Sequence, residues 1–172
     1  MYPRENRPVP LWKQLKARGL TAPGDLLEVF GIIKPPVPVE DIADRLGVPI
    51  NKVPAPGWSG ALTVMNNHAV IWLDLVEAPV RHRFTIAHEL GHLMLQETER
   101  AHRDTTFDGS PEESAANRFA ADLLMPLWML DDYADAATSP EKVEAIAELF
   151  GVSRAAMERR LLELFGVPVP PL

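Results

Sequence analysis

Two rhythms of apolar positions run along this chain. Val39, Ile42, Ala43 and Leu46 recur at i, i+3, i+4 and i+7, so they line one face of a helix over 39–46 that Gly47 ends. Two shorter helices precede it. One is an amphipathic stretch over 11–18 (LWKQLKAR) stopped by Gly19, and the other covers 23–30 and stops at Gly31. Pro35, Pro36 and Pro38 stiffen the connection to the third helix. The rhythm then changes to short runs rich in β-branched and aromatic residues. Residues 49–53, 58–65 (WSGALTVM) and 69–73 (AVIWL) read as strands. Asn66-Asn67 supplies a tight hairpin turn, because Asn tolerates positive φ. The expected result is a small antiparallel sheet.

Helical spacing returns over 79–96, with Pro79 suited to the first turn. Residues 97–109 are polar and read as a loop. The next helix opens at Ser110-Pro111 and stops near Met125, because Pro126 follows. Residues 127–138 read as irregular or short helix. Segments 141–150 and 153–165, joined at Gly151, read as a helix–turn–helix. The fold class is therefore α+β. The expected division is a tail with short helices over 1–36, a core over 37–138, a helix–turn–helix-like subdomain over 139–166 and a Pro-rich tail over 167–172.

Composition narrows the function. At 172 residues, 47% apolar and 24% charged, the chain suits one soluble domain, which excludes disorder, collagen and coiled coil as overall descriptions. A net charge of −7 argues against general attraction to nucleic acid or anionic membranes. The absence of cysteine removes disulfides, iron–sulfur clusters, thiolate metal sites and cysteine nucleophiles. Prolines crowd both ends (Pro3, Pro8, Pro10; Pro168, Pro170, Pro171), which read as extended tails. The start lacks an apolar signal region, and the longest apolar run, 123–130, is interrupted by Pro126. A spanning helix needs about 20 apolar residues, so the expected location is the cytoplasm, with no membrane partner.

The chemistry concentrates in RFTIAHELGHLML. Here His88-Glu89-Leu90-Gly91-His92 forms an H-E-x-x-H inside a strongly helical stretch. Positions i and i+4 face the same way, so both imidazoles can reach one ion. Glu89 projects about 100° around the helix from His88. It can stand beside the metal without ligating it, which is where a general base must be to take a proton from water. A catalytic zinc takes three protein ligands and one water, so a third ligand is needed. The extended motif that places Gly and His downstream fails, because this chain has Leu95 and Thr98 at those positions.

Glu113 is the leading alternative. It shares a helical face with Ala116, Asn117, Ala120 and Leu124, and the small alanines together with Gly91 allow two helices to approach closely. Ser110-Pro-Glu-Glu113 also fits a capping box, in which case Glu112 or neither carboxylate faces the metal. His102, Asp104 and Asp108 in the intervening loop are rival ligands.

At this point the chain resembles the ImmA/IrrE-type zinc metallopeptidases, over about residues 37–166. Three blocks carry the likeness in order: VEDIADRLGV followed by WSGAL, then RFTIAHELGHLML, then ESAANRFAADLLMP from Glu113 to Pro126. The resemblance implies a zincin-like fold and a gluzincin-like zinc endopeptidase. It implies His88 and His92 as ligands, Glu89 as catalytic base and Glu113 as third ligand. Family members cleave Xre-type helix-turn-helix repressors and so release transcription, in mobile-element induction or stress responses. One departure is Gln96, where many members carry a His. The implied cofactor is Zn²⁺, with Mn²⁺ as the alternative, since a His₂Glu set suits zinc.

The substrate side is less sharply marked. Strand 58–65, with Leu62 and Val64, is a candidate edge onto which an extended substrate adds, set against an ordinary core strand. His102, Tyr133 and Arg118 are candidates for stabilising the oxyanion, and His102 and Tyr133 also for binding substrate. His68 and His82 read as solvated surface residues. The C-terminal pair of helices carries Arg154, Arg159 and Arg160, but between 141 and 166 four Lys and Arg face five Glu. Strong direct nucleic-acid binding lacks the cationic surplus it needs, and partner docking or packing is the expected role. The functional alternatives are a non-proteolytic DNA- or repressor-binding regulator, and a toxin–antitoxin component that retains the metal site.

Overall fold

The computed structural model describes residues 8–96, 101–104, 109–136 and 139–166. Along the chain run α1 (Leu11–Ala17), α2 (Pro23–Phe30), α3 (Val39–Leu46), β1 (Ile50–Val53), β2 (Gly60–Met65) and β3 (His68–Asp74). There follow α4 (Pro79–Leu95), β4 (Ala101–Asp104), α5 (Pro111–Leu124), α6 (Leu127–Leu130), a 3₁₀ turn (Asp131–Ala136), α7 (Pro140–Phe150) and α8 (Arg154–Phe165). The fold is α+β, as the alternating periodicities predict.

The sheet departs from the expected one in two ways. It has four strands in the order β1-β3-β2-β4. It is also mixed, because β1 lies parallel to β3 while β2 is antiparallel to both β3 and β4. The fourth strand falls where a polar loop is expected. AHRD has no apolar alternation of its own, and its hydrogen bonds to β2 create the strand; charged residues are common on such edges. Consequently, of the two readings of segment 58–65, the ordinary core strand holds and the open edge does not. Gly60 to Thr63 pair with Asp104 to Ala101 on one side and with Leu73 to Val70 on the other. The β2–β3 hairpin turns through Asn66 (φ 49°) and Asn67 (φ 67°), the paired positive φ angles of the mirror-image turn that matches strand twist.

Helix α4 is the centre of the molecule. Eleven of its 17 residues are buried, so it has no polar face wide enough to show the usual amphipathic stripe. One side lies on the sheet, where Leu62, Val64, Ala69, Ile71 and Leu73 join Ile86, Leu90 and Leu93 in the core. The opposite side packs against α5, its most extensive helix neighbour. The same apolar cluster takes in Trp12 and Leu15 of α1 and Met157 and Leu161 of α8.

Polar side chains tie the outer helices to this centre. Lys16 of α1 donates to the carbonyls of Leu93 (2.8 Å) and Gln96, capping the negative end of α4. Arg83 of α4 donates to the carbonyls of Val37 (2.8 Å) and Gly151 (3.0 Å), joining the α3 entry to the α7–α8 turn. Gly151 sits at φ 65°, and a Cβ there would lie 2.8 Å from Arg83 Nε, so both backbone and space require glycine. Buried Arg160 of α8 donates to Met125 O (3.0 Å), Asp122 (2.6 Å) and Glu163 (3.2 Å), fastening α8 to the end of α5. His82, expected at the surface, is instead buried at 7% exposure, with Nε2 2.7 Å from the Asp74 carbonyl. The end of β3 folds over this turn of α4, and the imidazole satisfies that carbonyl.

The α4–α5 approach rests on Gly91. A Cβ added there would stand 3.1 Å from Ala116 Cα and Phe119 Cβ, and 3.2 Å from Ala116 O. Alanine is intrinsically the better helix former by about 1 kcal/mol. Pushing against backbone in a packed interface costs about 1–3 kcal/mol. Gly91→Ala is therefore expected to lower stability, with a Tm about 2–4 °C below wild type for each kcal/mol lost. A melt followed by circular dichroism checks this, and an unchanged or raised Tm would show that α5 yields freely.

Candidate metal centre

The close approach of α4 and α5 brings three donors together. His88 and His92 project from one face of α4, one turn apart, with Nε2 atoms 3.0 Å from each other. Glu113, in the first turn of α5, places Oε2 3.3 Å from His88 Nε2 and Oε1 3.0 Å from His92 Nε2. All three residues are buried, and their donor atoms lie within 4.8 Å of one another. Ser110 caps α5 by accepting from the Glu113 backbone N–H at 3.2 Å, which fixes the first turn and hence the height of the carboxylate. Half of the expected capping box is thus present while the Glu113 side chain faces the imidazoles. Glu112 is exposed.

Each imidazole is held from behind. Asn117 Oδ1 lies 3.0 Å from His88 Nδ1. An amide oxygen only accepts, so Nδ1 carries the proton and Nε2 keeps its lone pair toward the site. Gln96 Nε2 stands 2.6 Å from His92 Nδ1. An amide nitrogen donates, so Nδ1 accepts here, and the amide must turn over to present its oxygen before His92 takes the tautomer set at His88. Both supports sit at i+4 from the residue that defines the site on their helix: Gln96 from His92, Asn117 from Glu113. That spacing was visible in the sequence, but it pointed to nothing until the donors were known. Gln96, the departure from the resemblance, keeps a contact with His92.

Glu89 is fully buried and lies toward the start of β2. Gly60 makes room for it: a Cβ at that position would be 2.2 Å from Thr85 Cγ2 and 3.4 Å from Glu89 Oε1. Four buried polar side chains in two adjacent helical turns and the facing helix are costly in an apolar core unless something compensates them. Two imidazole nitrogens and one carboxylate form a donor set that could hold a metal ion. The site opens on a cleft of about 1000 Å³, lined by His88 and Glu113 at one part and by residues of α8 at another.

The other sequence candidates fall elsewhere. Leu62 and Val64 are buried in the core beneath α4. Tyr133 packs edge-on against Phe150, with ring centroids 5.9 Å apart. Arg118 is exposed and lines the cleft. The backbone of His102 pairs with Leu62 and that of Asp104 with Gly60 in β4, while their side chains, and all of Asp108, lie outside the described residues. His68 is exposed at the start of β3.

The peptidase family model Peptidase_M78, the IrrE N-terminal-like domain, matches residues 43–162. The chain belongs to this family. The match covers β1 to β4, both site helices and most of α8. No curated protein matches the chain. A metallopeptidase in general terms, with a protein substrate, is what the family and the buried His–His–Glu group together support. No helix among the described residues is long and apolar enough to cross a membrane.

Removing a ring support leaves the donors in place but frees their orientation. Asn117→Ala and Gln96→Ala are each expected to weaken divalent-metal binding by about 10- to 100-fold. Competition with a chromophoric chelator measures this, and unchanged affinity in both variants would show that the imidazoles are held by packing alone.

Proposed function

We propose that this protein is a zinc-dependent endopeptidase of the H-E-x-x-H, gluzincin-like class, with zincin-like packing of α4 on its sheet. The carrying observation is the convergence of His88 Nε2, His92 Nε2 and the Glu113 carboxylate, beside buried Glu89 and at the wall of an open cleft. His88, His92 and Glu113 are the metal ligands, and zinc rather than manganese suits this donor set. The bound ion supplies Lewis acidity for the scissile carbonyl and lowers the pKa of water toward about 7.

The chain's own residues do the rest. Glu89 takes the proton from the water that attacks the carbonyl carbon and passes it to the departing amide nitrogen as the C–N bond breaks. Asn117 and Gln96 hold the imidazoles through the cycle. The burial of Glu89 and His92 strengthens each of these electrostatic interactions.

The substrate we propose is an Xre-type helix-turn-helix repressor, cut in the cytoplasm to release transcription. This rests on the resemblance of the three sequence blocks. The α7–Gly151–α8 unit is proposed as a helix–turn–helix-like docking or packing element, since its charge does not favour DNA. A regulator that kept the metal without proteolysis is the rival reading. A purely structural zinc takes four protein ligands, usually with cysteine, whereas this site offers three among the described residues, on a cleft.

Glu89→Gln separates the two. The variant is expected to bind zinc as wild type does, while cleavage of the repressor falls by about 10²- to 10⁴-fold. Fragment masses and bound-metal content provide the two readouts. Chelation should abolish wild-type cleavage and added zinc should restore it. Undiminished cutting by Glu89→Gln would remove the base from the proposal.

A further inference from the structure

The cleft extends well beyond the three donors. Its wall on α5 is the face Ser114, Asn117, Arg118 and Ala121, spaced i, i+3, i+4 and i+7, and it continues to Met125. Its wall on α8 repeats the same spacing with Ala156, Arg159, Arg160 and Glu163. From Glu113 to Met125 the α5 wall runs about 18 Å at 1.5 Å per residue. An extended peptide covers that length with five to six residues at about 3.3 Å each.

The lining charges sum to zero, four arginines against four carboxylates, but they are unevenly paired. Arg160 lies buried between α5 and α8 and engages both Asp122 (2.6 Å) and Glu163 (3.2 Å). Those are the acids at i+4 from Arg118 and from Arg159, the positions from which each exposed arginine would normally draw a partner. Of the other lining charges, Arg81 is paired with Glu77 (3.6 Å), Asp74 accepts from the Ala55 N–H (3.1 Å), and Glu113 faces the imidazoles. Arg118 and Arg159 are thus exposed guanidiniums with no ionic partner among the described residues, one on each wall of a cleft in a chain of net charge −7.

From this arrangement we infer that the cleft is an acid-selective substrate groove: Arg118 and Arg159 receive Asp or Glu side chains of an extended peptide, a few residues from the bond presented to the His88–His92–Glu113 site. Arg118 is five residues from Glu113, about 7.5 Å along the helix, or two to three extended residues plus the reach of its own side chain. Guanidinium matches a carboxylate with two parallel hydrogen bonds, so the arginines discriminate an acid from its isosteric amide. The inference rests on the peptidase reading for its occupant, but its test does not depend on catalysis.

Two fluorescently labelled ten-residue peptides are compared by anisotropy. They are identical except that a central Asp-Glu pair in one is Asn-Gln in the other. The wild-type chain is expected to bind the acidic peptide about tenfold more tightly, the order of one charge-assisted hydrogen bond. The preference should shrink as salt is raised from 0.05 to about 0.5 M, since the contacts are at the surface. Arg118→Gln/Arg159→Gln should abolish the preference without changing Tm or zinc content, because neither side chain is buried or near the donors. Equal binding of the two peptides by wild type, including none by either, overturns the inference. So does a preference that survives in the double variant. Cleavage of the acidic peptide is scored separately, so loss of the peptidase reading and loss of acid selectivity are distinguishable.

Discussion

The contact on which the rest depends is the backbone-to-backbone approach of α4 and α5 at Gly91 and Ala116. With no side chain between them, the two helices lie close enough for a carboxylate in the first turn of α5 to reach imidazoles two turns along α4. A helix pair separated by ordinary side chains stands about 8–10 Å apart between axes, and Glu113 would then fall short or enter at another angle. The apolar side of α4 is anchored on the sheet by Ile86, Leu90 and Leu93, so the polar side has only one direction to face.

That arrangement places Glu89, His88, His92 and Glu113 in a protein interior, where ionisable groups are normally excluded. The surrounding structure compensates locally through Asn117, Gln96 and the space left by Gly60. It also compensates at a distance. Lys16 ties α1 and Arg160 ties α8 to the central pair of helices, and Arg83 ties both the α3 entry and the α7–α8 turn to it, so the outer helices cannot drift without breaking hydrogen bonds to carbonyls. Arg160 has a second consequence. By engaging Asp122 and Glu163 it leaves Arg118 and Arg159 without an ionic partner among the described residues, which links the packing of α8 to the ligand chemistry of the groove.

The sequence by itself determined the order of the helices and of the first three strands, and which side chains could meet at the site. The 3.6 and 2.0 periodicities, Gly and Pro at helix ends, and the Asn-Asn turn are local properties, and local energetics decide them. The H-E-x-x-H spacing also acts within one helix, so the shared face of His88 and His92 could be read from covalent connectivity. Glu113 could be reached from its helical face and from the resemblance, because small residues at fixed spacing imply a close neighbour.

Only tertiary structure decided the rest. The strand β4 exists because β2 offers hydrogen-bond partners, not because AHRD has strand propensity, and the same pairing decided that β2 is interior, not an edge. The parallel pairing of β1 with β3 depends on how the chain crosses between strands, which no periodicity encodes. His82 is buried because the end of β3 folds over it, and the roles of Gln96 and Asn117 depend on where the imidazoles point. The pairing of Arg160 with Asp122 joins residues 38 positions apart. For the strand pairings, Asn117 and Arg160 the deciding interaction lies between segments distant in the chain, where sequence spacing carries no information about distance; for His82 and Gln96 it depends on how neighbouring segments fold back on the helix.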